Sequence, residues 1–181
     1  LKLPMPNVLG EFQLENASSA ISTLRVLEQL RIKDNHIKSG ITKILSIARL
    51  QEIKNGNLKN LCQNNKIFCD GSHNPDGARA LNAFLETWEC EKHIIVGMMA
   101  NKDHKNYLNQ FKNISSLTTI DIPNQPNSIK GEDLKRKFSD YPNIKYKSSI
   151  EDAIKSINLS NDAIILITGS LYLAGEVLNL N

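Results

Sequence analysis

The sequence predicts an α/β domain with a mostly parallel sheet flanked by helices, preceded by a short helical region. Three observations predict this class. Apolar, β-branched runs alternate with amphipathic runs from Lys66 onward, as expected for strands joined by helices. The run Ile164–Ile167 is apolar without alternation, which is typical of a strand covered on both faces. Apolar residues recur at helical spacing in the stretches Asn16–Leu30 and Asp34–Leu45.

The first region is predicted to contain two helices. The first helix is predicted between Asn16 and Leu30. The second is predicted from about Asp34 to Leu45, with Asp34 or Asn35 as its N-cap. Two helices alone cannot bury both of their apolar faces, so the following sequence supplies a partner surface or that surface is missing. We expect these faces to be exposed in this chain or to cover something unusual. The apolar face of the first helix is formed by Ala17, Ala20, Ile21, Leu24, Leu27 and Leu30.

The second region begins near Leu45–Arg49 and is predicted to contain five strands and five helices. The stretch Lys54–Asn65, which carries an Asn-Gly-Asn triplet, is predicted to be a loop. The predicted strands are Lys66–Asp70, His93–Met99, Leu117–Pro123, Asn143–Lys147 and Ala163–Thr168. The predicted helices are Pro75–Trp88, Lys105–Lys112, Lys130–Phe138, Ser149–Leu159 and Gly169–Leu178.

Composition disfavours several classes of partner. The 22 basic and 19 acidic residues are interleaved, so the net charge of +3 forms no stripe for nucleic acid. No apolar run approaches the roughly 20 residues of a membrane span. Cys62, Cys69 and Cys90 lack CxxC spacing, which indicates a reducing, cytoplasmic compartment and neither a disulfide frame nor a zinc site. Because the first residue is Leu, we expect a processed or truncated chain.

Three polar segments follow predicted strands, and a parallel sheet would bring all three to one edge. They are Asp70–Pro75, Gly97–Asp103 and Thr168–Tyr172. In open parallel sheets, ligands bind outside the carboxyl ends of the strands. The sequence therefore predicts a ligand site at this edge.

Each residue type in these segments also has a structural interpretation. Asp70 can accept hydrogen bonds from ribose hydroxyls, or it can cap a helix together with Asn74. His73 alone is more typical of a structural hydrogen bond than of catalysis. Lys102 can bind phosphate or carboxylate, or be a solvated loop residue. Ser170 and its neighbours can present hydroxyls and amides to an anion, or cap a helix.

One absence is informative. The sequence contains no GxxxxGK[ST] phosphate loop and no Gly-Lys pair, so it offers no Walker-type cradle for ATP phosphates. HExxH, GxSxG and GxGxxG are absent as well, which removes the usual support for hydrolase and dinucleotide-binding classes.

Taken together, five segments in order resemble the C-terminal part of folylpolyglutamate synthase/dihydrofolate synthase, in the Mur ligase superfamily. The resemblance covers essentially the whole chain, and its most specific motif is D-G-S-H-N-P at Asp70–Pro75. In one segment, Ser46-Ile47 stand where the family commonly has Trp-Pro. The other segments are Gly10–Ala17, Ala48–Gln51, Gly97–Met99 with Lys102-Asp103, and Thr168–Leu173.

The resemblance implies ATP-dependent amide-bond formation. In this family ATP phosphorylates a carboxylate of the folate substrate to an acyl phosphate, and the amine of L-glutamate attacks it. It further implies that residues 1–45 are the tail of a truncated central ATPase domain and that residues 46–181 are the Rossmann-like C-terminal domain. The phosphate loop and the Mg²⁺ ligands would then lie upstream, with no metal ligand in this chain.

The resemblance also assigns roles to seven residues. Asn16, Arg49 and Asp70 match nucleotide-binding positions, with Arg49 on the ATP phosphates and Asn16 on the adenine side. The other roles are His73 and Ser170 as catalytic residues, and Lys102 and Tyr172 as substrate-binding residues. A planar guanidinium is well suited to phosphate oxygens.

Several functions stay open at this point. We expect a ligase fragment that is inactive alone, whose partner is a separately encoded N-terminal ATPase half. The alternative is a non-catalytic remnant that binds nucleotide or docks such a half. A cell-wall ligase of the Mur type shares the architecture, although the D-G-S-H-N-P and T-G-S-L-Y-L motifs favour the folate branch. A response-regulator receiver is disfavoured because Phe68-Cys69-Asp70 offers no further acidic residue beside the aspartate.

Overall fold

The computed structural model describes residues 2–138, 141 and 143–181, and the chain divides into two compact units. The first unit is Leu1–Ile47 and the second is Ala48–Asn181. The division lies two residues beyond the boundary predicted after Leu45. Within the described part of the chain, no helix is long and apolar enough to cross a membrane.

The first unit contains two helices, which differ in burial. All of α1, Phe12–Val26, lies within the described residues, and none of its side chains is buried. Leu24 therefore keeps part of its surface exposed, as predicted. After a single 3-10 turn at Glu28–Leu30, α2 spans Asp34–Ile41.

The expectation of an exposed apolar face is wrong for α2. Its apolar residues Ile37 and Ile41 are only 4% and 8% exposed. The N-terminal segment runs beside the end of this helix, because the Asn7 amide donates to the Ile41 carbonyl at 3.1 Å. The Asn7 side chain also bonds the backbone of Ile44 in both directions. The N-cap of α2 is Lys33, whose backbone is extended, one residue before the predicted candidates.

The second unit is built on a six-stranded sheet. Its strand order is β1-β2-β6-β3-β4-β5, with β1 antiparallel to β2 and all other neighbours parallel. The five predicted strands are all present, and β1 is an additional two-residue strand. The strands are β1 Gln51–Glu52, β2 Lys66–Cys69, β3 Glu91–Val96, β4 Ser116–Ile120, β5 Ile144–Lys147 and β6 Ala163–Thr168.

In the part of the second unit that the structure describes, six helices accompany the sheet, one more than predicted. The additional helix, α3, lies inside the stretch Lys54–Asn65, so the prediction of a loop there is wrong. A five-residue helix is too short to show helical periodicity, but its side chain Leu58 is completely buried. The helices are α3 Asn57–Leu61, α4 Pro75–Glu86, α5 His104–Leu108, α6 Gly131–Arg136, α7 Ile150–Lys155 and α8 Leu171–Asn179.

Helices cover both faces of the sheet. On one face, residues of α3, α7 and α8 form a buried cluster with alternate strand residues such as Ile165 and Ile167. Phe68 points to the opposite face, because successive strand residues alternate, and its ring meets Phe84 of α4 edge-on at 5.4 Å. All six residues of β6 are buried. This confirms the prediction of an α/β domain with a strand covered on both sides.

Candidate functional site

The three polar segments meet at one edge of the sheet. Strands β2, β6 and β3 are parallel neighbours, so the segments that follow them lie side by side, as predicted. Backbone hydrogen bonds join them: the Gly169 amide donates to the Ser72 carbonyl at 3.0 Å, and the Gly97 amide donates to the Thr168 carbonyl at 3.2 Å. The edge is therefore one connected surface of loops.

Arg49 and Asp70, two of the predicted nucleotide residues, lie next to each other at this edge. The amide of Leu50 donates to Asp70 Oδ2 at 2.7 Å, and the amide of Gly71 donates to the Ala48 carbonyl at 2.8 Å. Arg49 itself is exposed, whereas Asp70 is 2% exposed. The structure thus places an exposed arginine next in sequence to a residue whose amide binds a buried carboxylate.

Burial raises the pKa of the Asp70 carboxyl above its ordinary value. Three neighbours act in the opposite direction, namely the hydrogen bonds from the amides of Leu50 and Ser72 and the positive charge of Arg49. Desolvation is the largest of these effects, so the net direction is upward.

His73 and Asn74 occupy the turn between β2 and α4. Asn74 is the N-cap of α4, with its Oδ1 accepting from the Gly77 amide at 2.8 Å, and Pro75 fills the first helical position. His73 is half-buried, and its Nδ1 lies 3.1 Å from the Gly71 carbonyl. A carbonyl only accepts, so in the neutral ring Nδ1 carries the proton and Nε2 can accept one.

Ser170 and Tyr172 begin α8 with opposite exposures. Ser170 is 2% exposed and acts as the N-cap, because its Oγ accepts from the Tyr172 amide at 3.1 Å. Tyr172 is 55% exposed and Leu171 is 52% exposed, so the first turn of α8 presents an apolar surface at the edge. The preceding Gly169 has a φ of +108°, a conformation that favours glycine.

Lys102 lies in the turn between β3 and α5, where its amide donates to the Met99 carbonyl at 3.3 Å. The buried ring of His104 fixes this turn, since its Nε2 lies 3.0 Å from the same carbonyl. The other ring nitrogen lies 3.3 Å from Lys137 Nζ. Lys102 is therefore held at the same edge as the other loops, half-buried.

Asn16, the third predicted nucleotide residue, belongs to the first unit. It is exposed on α1, and its Nδ2 donates to Gln13 Oε1 at 3.1 Å.

Sequence reasoning missed Tyr107, which ties two of the site loops together. Its hydroxyl donates to the Ser72 carbonyl at 3.1 Å and lies 2.8 Å from Thr168 Oγ1. Burial raises the pKa of this phenol, so it remains protonated at neutral pH. A tyrosine within an amphipathic helix resembles any other core residue, so the sequence carries no signal for this role.

The charged side chains at the edge fit an anion better than a metal ion. The exposed guanidinium of Arg49 and the ammonium of Lys102 are donors suited to phosphate and carboxylate oxygens. Both oxygens of Asp70 already accept backbone amides. Among the described residues, no three His, Cys, Asp or Glu side chains converge on a point.

Comparison with known proteins agrees with this architecture. The family profile described as "Mur ligase, glutamate ligase domain" matches residues 49–171, which is more than half of the chain. The chain belongs to the Mur ligase family. The matched region contains all six strands, the site segments after β2 and β3, and the third site segment up to Leu171.

Three relatives show how the Mur ligase chain is related to characterised sequences. A folylpolyglutamate synthase from Lacticaseibacillus casei is 27% identical over 98% of the chain and 39% of the relative. A dihydrofolate synthase/folylpolyglutamate synthase from Bacillus subtilis is 25% identical over 94% of the chain and 39% of the relative. A UDP-N-acetylmuramoyl-L-alanyl-D-glutamate–L-lysine ligase from Streptococcus agalactiae is 30% identical over 65% of the chain and 24% of the relative.

The chain thus spans about two fifths of the length of its folylpolyglutamate synthase relatives. Solved structures share the fold. A Mycobacterium tuberculosis folylpolyglutamate synthase, complexed with ADP and AMPPCP, superimposes on 98% of the chain with a TM-score of 0.79 at 21% identity, using 41% of its own length. A bifunctional folylpolyglutamate synthase/dihydrofolate synthase from Yersinia pestis gives a TM-score of 0.78 at 21% identity, over 98% of the chain and 40% of its own length.

Proposed function

We propose that this chain is part of an ATP-dependent ligase that joins L-glutamate to a folate through an acyl phosphate. The observation that carries the proposal is the connection of Arg49 to the D-G-S-H-N-P loop, which leaves its guanidinium exposed at the sheet edge. Relatives named folylpolyglutamate synthase match over nearly the whole chain, and a synthase of the same fold binds ADP and AMPPCP. Both support the nucleotide and the substrate class.

On the nucleotide side, Arg49 contacts the ATP phosphates. A guanidinium gives two parallel charge-assisted hydrogen bonds to phosphate oxygens and stabilises the charge that develops during phosphoryl transfer. Asn16 contributes an amide on the adenine side, where donor and acceptor groups alternate. We assign Asp70 to this side too, because it holds the backbone next to Arg49.

On the acceptor side, the amine of L-glutamate must lose a proton as it attacks the acyl phosphate. The C–N bond forms, the bond from carbon to the phosphate oxygen breaks, and phosphate leaves. His73 Nε2 can take the proton, because Nδ1 is held by the Gly71 carbonyl. Lys102 binds a substrate carboxylate, and the exposed ring of Tyr172 contacts the substrate. Ser170 orders the start of α8 by accepting the Tyr172 amide.

We further propose that this chain alone does not turn over substrate. The sequence lacks a phosphate loop, and the synthase relatives are about two and a half times its length. The remaining phosphate contacts and the Mg²⁺ ligands then come from another part of the ligase, either on the same polypeptide or in a separately encoded ATPase half.

A chimera tests the proposal. This chain replaces the matching part of the Lacticaseibacillus casei synthase, and ADP release and folate glutamylation are measured with ATP, L-glutamate and tetrahydrofolate. We expect product from the chimera and none from the 181 residues alone. Arg49→Ala should lower kcat/KM by roughly a hundredfold or more, as loss of a transition-state donor does. Arg79→Ala, which removes an exposed arginine paired with Asp76 on α4, is the matched control and should leave the rate unchanged.

The other outcomes separate the competing functions. Turnover by the isolated chain would refute its dependence on a second part. A folded chimera that binds ATP without making product indicates a non-catalytic nucleotide-binding remnant. Use of a UDP-muramoyl dipeptide with L-lysine in place of folate and glutamate assigns the chain to the cell-wall branch.

A further inference from the structure

A buried chain of hydrogen bonds joins the site segments at the sheet edge. The hydroxyl of Tyr107 lies 3.1 Å from the Ser72 carbonyl and 2.8 Å from Thr168 Oγ1. Tyr107 is completely buried and Thr168 is 1% exposed, so these groups have protein partners in place of bulk water. Because Tyr107 belongs to α5, which directly follows the Gly97–Asp103 segment, the chain of bonds connects all three site segments.

The direction of these bonds follows from the chemistry of the partners. A carbonyl only accepts and a phenol has one proton, so the Tyr107 hydroxyl donates to Ser72 and accepts from the Thr168 hydroxyl. The amide of Gly169 also donates to the Ser72 carbonyl, at 3.0 Å. Both lone pairs of this oxygen are therefore engaged. We refer to the two bonds from Tyr107 and Gly169 as the Ser72 bracket.

The Ser72 bracket fixes the backbone that carries His73. The Ser72 carbonyl and the His73 amide share one planar peptide unit, so a fixed carbonyl fixes the orientation of that plane. The ring of His73 has a second constraint, since its Nδ1 lies 3.1 Å from the Gly71 carbonyl. Together the two constraints determine where Nε2 of this half-buried ring lies at the sheet edge.

We infer that Tyr107 is a positioning residue, which orients His73 through the Ser72–His73 peptide. The catalytic part of this inference rests on the proposed function, in which His73 takes a proton from the amine of L-glutamate, whereas the orientation of the ring does not. The alternative is that the phenol only satisfies polar groups in the core and has no influence on His73. Measurements on the ring and on the rate decide between the two.

Tyr107→Phe is the informative substitution, because it removes the hydroxyl and keeps the ring with its edge-on contact to Phe111 at 5.6 Å. The Ser72 carbonyl then keeps the Gly169 amide as its donor. The matched control is Tyr141→Phe. The Tyr141 hydroxyl likewise donates to a backbone carbonyl, that of Phe111 at 2.8 Å, but this bond lies outside the three site segments.

The ring tautomer of His73, measured by nitrogen NMR on the full 181-residue chain, tests the orientation. The signal is identified by its loss in His73→Ala. In the wild type the proton should lie on Nδ1, which faces the Gly71 carbonyl. The ratio of the Nδ1–H to the Nε2–H tautomer should fall by roughly three- to tenfold in Tyr107→Phe, as expected for loss of one hydrogen bond. It should stay at the wild-type value in Tyr141→Phe, and a wild-type ratio in folded Tyr107→Phe would overturn the inference.

The rate of the chimera with the Lacticaseibacillus casei synthase tests the catalytic part. Tyr107→Phe should lower kcat by roughly three- to tenfold and leave KM for L-glutamate and for ATP unchanged, because an interaction that acts only in the reaction step is weakened. Tyr141→Phe should leave both constants unchanged. A higher KM with an unchanged kcat in Tyr107→Phe would show an effect on substrate binding and contradict the inference.

A double variant shows whether Tyr107 acts through His73. In the His73→Ala chimera, adding Tyr107→Phe should leave the remaining rate unchanged, since the residue that the phenol positions is already absent. Losses that multiply would mean that Tyr107 acts independently of His73, which overturns the inference. If the wild-type chimera makes no product, the proposed function fails, and the tautomer ratio still decides the orientation of the ring.

Thr168 provides a second variant if Tyr107→Phe does not fold. Thr168→Val removes the hydroxyl that donates to the phenol, so the tautomer ratio of His73 should change in the same direction as in Tyr107→Phe. Thr168→Ser retains the hydroxyl and should restore the wild-type ratio. A wild-type ratio in folded Thr168→Val would count against the chain of bonds from Thr168 through Tyr107 to His73.

Discussion

Helix α1 of the first unit and strand β6 of the second are both recognisable from their apolar residues, yet their environments differ. No side chain of α1 is buried, and Val26 is 78% exposed. All six residues of β6 are buried, each at most 2% exposed. The unbroken apolar run of β6 predicts its burial, whereas the helical period of α1 identifies a helix without revealing whether a partner surface covers it. The burial that stabilises the second unit is concentrated in its sheet.

The largest expected effect on stability comes from truncating a buried side chain at the centre of the sheet. Ile165→Ala removes a completely buried side chain of β6 and should lower the free energy of unfolding by roughly 2–5 kcal/mol. Leu24→Ala on α1 should cost less than about 1 kcal/mol, because Leu24 is partly exposed. Urea unfolding followed by far-UV circular dichroism, which reports on the helices of both units, gives both values. Equal losses would contradict the comparison.

A smaller effect is expected at the turn into α8. Gly169→Ala adds a Cβ 2.7 Å from the Gly97 carbonyl oxygen at a φ of +108°, so it should destabilise by roughly 2–3 kcal/mol. Gly175→Ala, inside α8 with nothing within 4 Å of the added carbon, should stabilise by roughly 0.5–1 kcal/mol. Thermal unfolding of both variants measures the difference. A Gly169→Ala protein as stable as Gly175→Ala would refute the close approach of β6 and β3 at the site.

The smallest effect is a pH dependence located in β3. Burial lowers the pKa of His93 below its ordinary 6.5, while half-exposed Glu91 partly offsets this effect and Lys145 adds to it. Below pH 6.5 the unfolded chain therefore binds a proton that the folded chain does not yet bind, so stability falls as pH falls through this range. His93→Gln keeps a partner for Ser116, whose Oγ lies 2.8 Å from the ring nitrogen, but it does not titrate.

The measurement for His93 is the difference in unfolding free energy between wild type and His93→Gln. From pH 7.5 to pH 5.5 we expect the wild type to lose stability relative to the variant. A constant difference across this range would show that the pKa of His93 is not lowered.

Most of the second unit was predictable from the sequence, because long strands and helices carry their own periodic signal. The order of polar segments after β2, β3 and β6 also predicted a common edge, and the sheet topology confirms it. The short elements β1 and α3 were missed, since two and five residues are too few to establish a period. The burial of Ile37 was missed for a different reason, because it depends on packing rather than on spacing.

The details of the site were less predictable. Nothing in the sequence Ala48-Arg49-Leu50 indicates left-handed backbone, which usually selects glycine or asparagine. The structural interpretation of Ser170 as a helix cap is confirmed by its hydrogen bond, whereas its predicted catalytic role stays a prediction. The hydrogen bond from the Leu50 amide to Asp70 joins residues twenty positions apart in sequence, so only three-dimensional contacts reveal it.

The position of β6 constrains how the protein is made. This strand lies between β2 and β3, although the ribosome synthesises it after both of them. Cys69 of β2 pairs with Ile167 of β6, so β2 lacks this neighbouring strand until β6 has been synthesised. Contacts this distant in sequence slow folding and leave the facing edges of β2 and β3 unpaired until β6 is available.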